Sequence, residues 1–184
     1  MSEKNNMKLV FQISFIICFI TFHKAFTQTS GNKTVSVTLP VVTLLDIEPA
    51  GNTILNFTVP TDAGKALVNP TVNTSKWINY TSAIAPAGLT RKITASVNQT
   101  IPGVDIKIQA ATASGSGGGT LGTPSGQVTL TTTPVTIISG IGGAYTGNGA
   151  NNGHMLTITV VPNNYSNLAA INNTSIVITY TITE

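Results

Sequence analysis

Five carboxylates follow residue 27 in this 184-residue chain: Asp46, Glu48, Asp62, Asp105 and Glu184. Asp46 and Glu48 are spaced i, i+2, so an extended strand would carry both on one face. Two carboxyls about 5 to 9.5 Å apart are what glycoside hydrolysis needs, but Pro49 and Gly51 lie beside them and point to a surface turn. His154 is the one histidine beyond residue 27. A zinc site needs three or four ligands, and no cysteine follows residue 27 to help supply them. Serines for a Ser-His-Asp set are plentiful, yet the strand-turn-helix G-x-S-x-G elbow is missing. His154 therefore reads as a polar residue at a strand start. The Gly-rich stretches lack the lysine of a phosphate loop. Gly147 to Gly153 has the glycine and amide content of a calcium loop without its aspartates. The expectation is a protein without catalytic residues, cofactor or metal.

The ligand chemistry left is aromatic and apolar. Trp77, Tyr80 and Tyr145 are the candidates for stacking on a ligand, although a lone Trp among alternating residues is more often a core anchor. Val35, Val37 and Leu39 alternate in Thr34–Leu39 and are the candidates for strand exchange.

Residues Leu9 to Ile20 are an apolar run preceded by Lys4 and Lys8, the n-region and h-region of a secretory signal peptide. The run is short for a membrane span of about 20 residues. Ala25-Phe-Thr27 fits a cleavage site, so 1–27 is expected to leave and Gln28 to begin the mature chain. Cys18, the single cysteine, would leave with it. Removing Lys4, Lys8, Lys24 and Glu3 leaves six basic and five acidic residues, a net of +1. No basic stripe with interleaved aromatics argues for nucleic acid. The membrane enters only through the signal peptide during export, and the expected location is periplasmic, cell-surface or extracellular.

Charged residues are 8% of the chain, against roughly 25% in ordinary domains. With 41% hydrophobic residues, this is not the composition of disorder. Thr, Asn, Ser and Gly replace the charge, as on neutral extracellular β surfaces.

Alternation supplies the elements. Ser175–Glu184 places Ile176, Ile178, Tyr180 and Ile182 on one face of a strand that a sheet must hold. Thr34–Leu39, Val41–Ile47, Ile54–Val59, Lys76–Ser82, Arg91–Val97, Val104–Ala110, Val128–Leu130, Pro134–Ile138 and Met155–Val161 are the other expected strands. Gly-rich loops are expected at 111–126 and 140–153. Short strands, turn signals and no useful helical period imply one all-β domain over 28–184, an Ig-like two-sheet antiparallel β-sandwich.

Leu39-Pro-Val-Val-Thr-Leu-Leu-Asp46, Trp77-Ile-Asn-Tyr-Thr-Ser82, Ile138-Ser-Gly-Ile-Gly-Gly-Ala-Tyr-Thr-Gly147 and the Tyr-Thr-Ile-Thr ending resemble small secreted β-sandwich proteins of Bacteroidota-type bacteria. These are similar in turn to fimbrial subunits and spore-coat-U-like domains. The chain departs from chaperone–usher pilins in lacking a disulfide pair. The resemblance implies a structural or adhesive surface protein that associates with itself or with neighbouring surface subunits. The alternative is a monomeric carbohydrate-binding module with a glycan as partner.

Overall fold

A computed structural model describes Met7, residues 30–172 and residues 174–184. The expected signal peptide, 1–27 with Cys18, lies outside the described residues apart from Met7. The chain divides into two units, Met1–Thr38 and Leu39–Glu184.

In the first unit, residues 30–38 form no strand, and Val35 and Val37 are 79% and 78% exposed. In the second unit, Leu39 is likewise outside any strand and 89% exposed. The alternation of Thr34–Leu39 is thus present without a pairing partner among the described residues. Alternation prepares a segment for a sheet; only an available edge makes it a strand.

The second unit is all-β. Its strands are β1 (Val42–Glu48), β2 (Asn73–Ala83), β3 (Arg91–Val97), β4 (Val104–Ala110), β5 (Gly118–Pro124), β6 (Val128–Thr129), β7 (Val135–Tyr145), β8 (His154–Pro162) and β9 (Ile178–Thr183). A 3-10 turn at Tyr165–Asn167 is the one helical element among the described residues of this unit. Every strand pair is antiparallel. The order is β6-β4-β8-β2-β7-β3-β9, with β1 added to β2 and β5 added to β7. Two strands change neighbours along their length. Residues 73–78 of β2 pair with β8, and Thr81–Ser82 pair with β7. β7 pairs with β3 through its first half and with β2 at Ala144–Tyr145.

Period-2 burial is clearest in β3, β4 and β9. β3 buries Arg91, Ile93, Ala95 and Val97, and β4 buries Ile106, Ile108 and Ala110. Ile78, Ile137, Ile138, Ile141 and Leu156 join them in one core cluster, all fully buried. Burying each such side chain stabilises by roughly 1.5 to 3 kcal/mol. Ile178, Tyr180 and Ile182 of β9 pack against this cluster while staying half-buried, and Thr179, Thr181 and Thr183 face out. The expected register of the last strand holds, although it begins at Ile178 rather than Ser175.

Several expectations are corrected. Ile54–Val59 is not a strand; it makes one bridge, Thr58 to Val68, and Val59 is exposed. Pro60 and the turn at Asp62–Gly64 leave it no longer ladder. Residues 111–126 are not one loop, because β5 lies inside them and pairs with β7. Backbone pairing needs no side chains, and here it needs their absence: Gly119 has φ +88°, and a Cβ there would overlap the Gly143 carbonyl. The second Gly-rich stretch is also shorter than 140–153, since β7 runs on through Tyr145. Asp46 and Glu48 both lie in β1, so the turn follows them. Trp77 is half-buried and does not anchor the core. Lys76, Ile78, Tyr80 and Ser82 point inward, so parity puts Trp77 on the other face, opposite Glu48 and beside Met155.

Candidate functional site

Tyr80 faces inward from β2 and is buried. Its hydroxyl meets the Leu121 carbonyl of β5 and the Nε2 of His154, 3.0 Å away. His154 opens β8, as expected for a strand start, but its side chain is completely buried. Its Nδ1–H donates to the Ala111 carbonyl at 2.8 Å, which leaves Nε2 as the acceptor facing Tyr80. Burial pulls the His154 pKa below its ordinary value, against the opposing pull of the two carbonyls. Burial likewise pushes the phenols of Tyr80 and Tyr180 up. The Tyr80–His154 pair ties β2, β5 and β8 together, and no side of the imidazole is open to a substrate. Tyr80 therefore stands in the core rather than on a surface platform.

Two cations are also buried. Lys76 Nζ donates to the carbonyls of Pro49 and Gly51 at 2.6 and 2.7 Å. Arg91 Nη1 donates to the Val42 carbonyl at 2.6 Å and to Ser82 Oγ at 2.9 Å, with Glu184 3.8 Å from Nη2. Each ties a neighbouring segment to a strand. Sequence reasoning missed both roles. The available signal was parity, since each stands two residues before a buried isoleucine.

The outward face of the same strands is different. Opposite residues of an antiparallel ladder share a face, and the register runs Leu44–Thr81–Tyr145–Gly118 across β1, β2, β7 and β5. Leu44 and Tyr145 are exposed, at 64% and 55%. A Cβ on Gly118 would lie 3.3 Å from Tyr145 Cε1 and 3.6 Å from its Cζ, so the ring extends over the glycine. Leu44, Asp46, Thr81, Tyr145, Gly147 and Asn148 line a cleft of about 440 Å³ on this face.

The cleft wall at 147–148 is held in place. Thr146 N–H donates to the Tyr80 carbonyl at 3.0 Å, and its Oγ1 accepts from Tyr80 N–H at 2.9 Å. Asn79 accepts from Gly149 N–H at 2.6 Å and donates to the Asn152 carbonyl at 2.7 Å. Asn152 Oδ1 accepts from Ser116 N–H at 3.0 Å, and its Nδ2 donates to the Asn148 carbonyl at 2.8 Å. The structure thus brings Tyr145 to a cleft, leaves Trp77 half-buried on the same outward face, and turns the Tyr80 side chain into the core, although the residue still borders the cleft.

Among the described residues, no three His, Cys, Asp or Glu side chains gather where one metal ion would be held. Among them, too, no helix is long and apolar enough to cross a membrane. Compared with family models, curated proteins and solved structures, the chain finds no match.

Proposed function

We propose that this chain is a non-catalytic, exported structural or adhesive protein of the cell surface, a fimbria-like subunit that assembles by strand addition. Its body is an Ig-like two-sheet sandwich. In support, β4 and β7 lie against one another without pairing, and β2 and β7 change partners midway, as strands do at the corner between two layers. Thr34–Leu39 of one copy adds to the free edge of β9 in the next. Main-chain bonds supply affinity in such an addition, and alternate side chains supply fit.

The observation that carries the proposal is an alternating Val35, Val37 and Leu39 standing exposed and outside any strand. On the acceptor side, β9 pairs with β3 alone among the described residues. Its Ile178, Tyr180 and Ile182, with Leu45 and Ile47 of β1, are only half-buried against the core. The edge carries threonines rather than the lysines and prolines that guard edges. A fully buried His154 and scattered carboxylates support the non-catalytic reading.

Val37→Lys tests it. The variant is expected to fold with an unchanged thermal transition and to remain monomeric in negative-stain images and by light scattering, while the unmodified chain forms fibres. Unfolding of the variant would place the segment inside its own domain, and fibres that persist would exclude it as the donor.

A further inference from the structure

We propose that the cleft across β1, β2 and β7 is a binding site for a neutral saccharide, with Tyr145 at its edge. The site is independent of strand addition, because it lies on the outward face rather than along the β9 edge.

A sugar ring presents two chemistries. Its axial C–H face is apolar and stacks on an aromatic ring, while its rim of hydroxyls both donates and accepts hydrogen bonds. A site for it needs an aromatic ring lying on the surface with one face free, and short polar groups around it. Tyr145 meets the first need. It is 55% exposed, and its ring extends over Gly118, the one residue type that leaves space beneath it. Any larger residue at 118 would press against the ring. The rest of the ladder row, Thr81 and Leu44, continues the same outward face beside the ring.

The second need is met by Asp46, Thr81 and Asn148, which line the cleft. A carboxylate accepts from two hydroxyls, an amide donates and accepts, and a hydroxyl does either. Among the described residues Asp46 is the one charged group of the lining, which holds no cation for a sulfate, phosphate or sugar acid to pair with. The volume of about 440 Å³ falls in the lower range of small-ligand sites, roughly 300 to 1,000 Å³, and suits one or two sugar rings. The wall is fixed in advance by the bonds of Asn79, Thr146 and Asn152, so little ordering opposes binding.

The test is an array of immobilised neutral and acidic oligosaccharides probed with the purified chain, followed by titration of the tightest neutral binder in solution. Tyr145→Ala is expected to weaken that binding at least tenfold, and Tyr145→Phe to leave it within about twofold. Gly118→Ala, which crowds the underside of the ring, is expected to weaken it severalfold. Tyr165→Ala, at an exposed tyrosine outside the cleft, is expected to change nothing. Circular dichroism of each variant confirms that folding is retained. Binding to no neutral glycan, preference for acidic ones, or binding that survives Tyr145→Ala in a folded variant would each overturn the proposal.

Discussion

The rings of Tyr80 and His154 lie stacked, with centroids 5.8 Å apart and planes 19° from parallel, and a 3.0 Å hydrogen bond joins the phenol to Nε2. The neutral imidazole has one N–H and meets two carbonyls, Ala111 at Nδ1 and Leu121 at 3.1 Å from Nε2. The Tyr80 hydroxyl donates its one proton to the Leu121 carbonyl and stands 3.0 Å from Nε2, between the two acceptors. Buried polar clusters are costly unless every member is satisfied, and no described buried side-chain polar atom is left without a partner.

This pair predicts a pH dependence. His154 has its folded pKa lowered from 6.5 by burial, so the unfolded chain binds more protons below that pH. The contribution is present above about pH 6.5 and is lost as the pH falls from there through the folded pKa. Thermal melts from pH 8 to pH 5 should be level at the upper end and decline below about pH 6.5. With His154→Gln, the decline over this interval should be reduced. Equal slopes for both proteins would assign the dependence to other groups.

Tyr80→Phe should act on the same cluster from the other side. It leaves Nε2 and the Leu121 carbonyl facing one another with no proton between them. An unsatisfied buried acceptor costs about 1 to 3 kcal/mol, so the variant should be less stable by that amount at pH 7.5. Protonation of His154 would then supply the missing donor, and the imidazole pKa, followed by NMR, should rise above that of the unmodified protein. Destabilisation without a pKa change would mean that Tyr80 acts by packing alone.

Much of the second unit is legible in the sequence wherever side chains alternate. Val104–Ala110 is the clearest case, because Ile106, Ile108 and Ala110 are interrupted by Lys107 and Gln109. Ile178–Thr183 is legible for the same reason. β5 is not, because a strand made of Gly118, Gly119 and Gly122 carries no period to read. Thr34–Leu39 and Ile54–Val59 show the converse, a period that forms no strand among the described residues. The Tyr80–His154 pair spans 74 residues of sequence, and nothing local brings the two together. Lys76 and Arg91 were hidden by their charge, although their parity pointed inward. Tyr145 was legible as an exposed aromatic, but its ring over Gly118 depends on the β5–β7 register.

That register should be sensitive to one methyl group. Gly119 combines φ +88° with no room for a Cβ beside Gly143, and the obstacle is backbone. Gly119→Ala is expected to destabilise by about 1 to 3 kcal/mol, as strained sites do, and to loosen β5 from β7. Hydrogen exchange at β5–β7 ladder amides such as Leu121 and Thr123 should quicken more than at the β4–β8 ladder. An alanine variant as stable as the parent would refute the close β5–β7 approach.

The last strand offers the sharpest contrast between neighbours. Ile182 points inward opposite Ile93, while Thr181 points outward opposite Thr94. Ile182→Asp puts a carboxylate against the core cluster, where it loses apolar burial and gains no partner. Losing the isoleucine contact alone costs roughly 1.5 to 3 kcal/mol if burial is complete, and the unpaired charge adds to whatever the half-buried site retains. Thr181→Asp faces water and should alter stability by no more than about 0.5 kcal/mol, as for ordinary surface sites. Urea titrations of the two variants should therefore separate clearly, with the midpoint of Ile182→Asp well below that of Thr181→Asp. Reversal of that order would show the opposite face of β9 to be the buried one. The same pair bears on assembly: a charge at 181 is the kind of guard that keeps an edge unpaired, so if β9 is the acceptor edge, Thr181→Asp should slow fibre growth followed by light scattering while leaving the monomer folded.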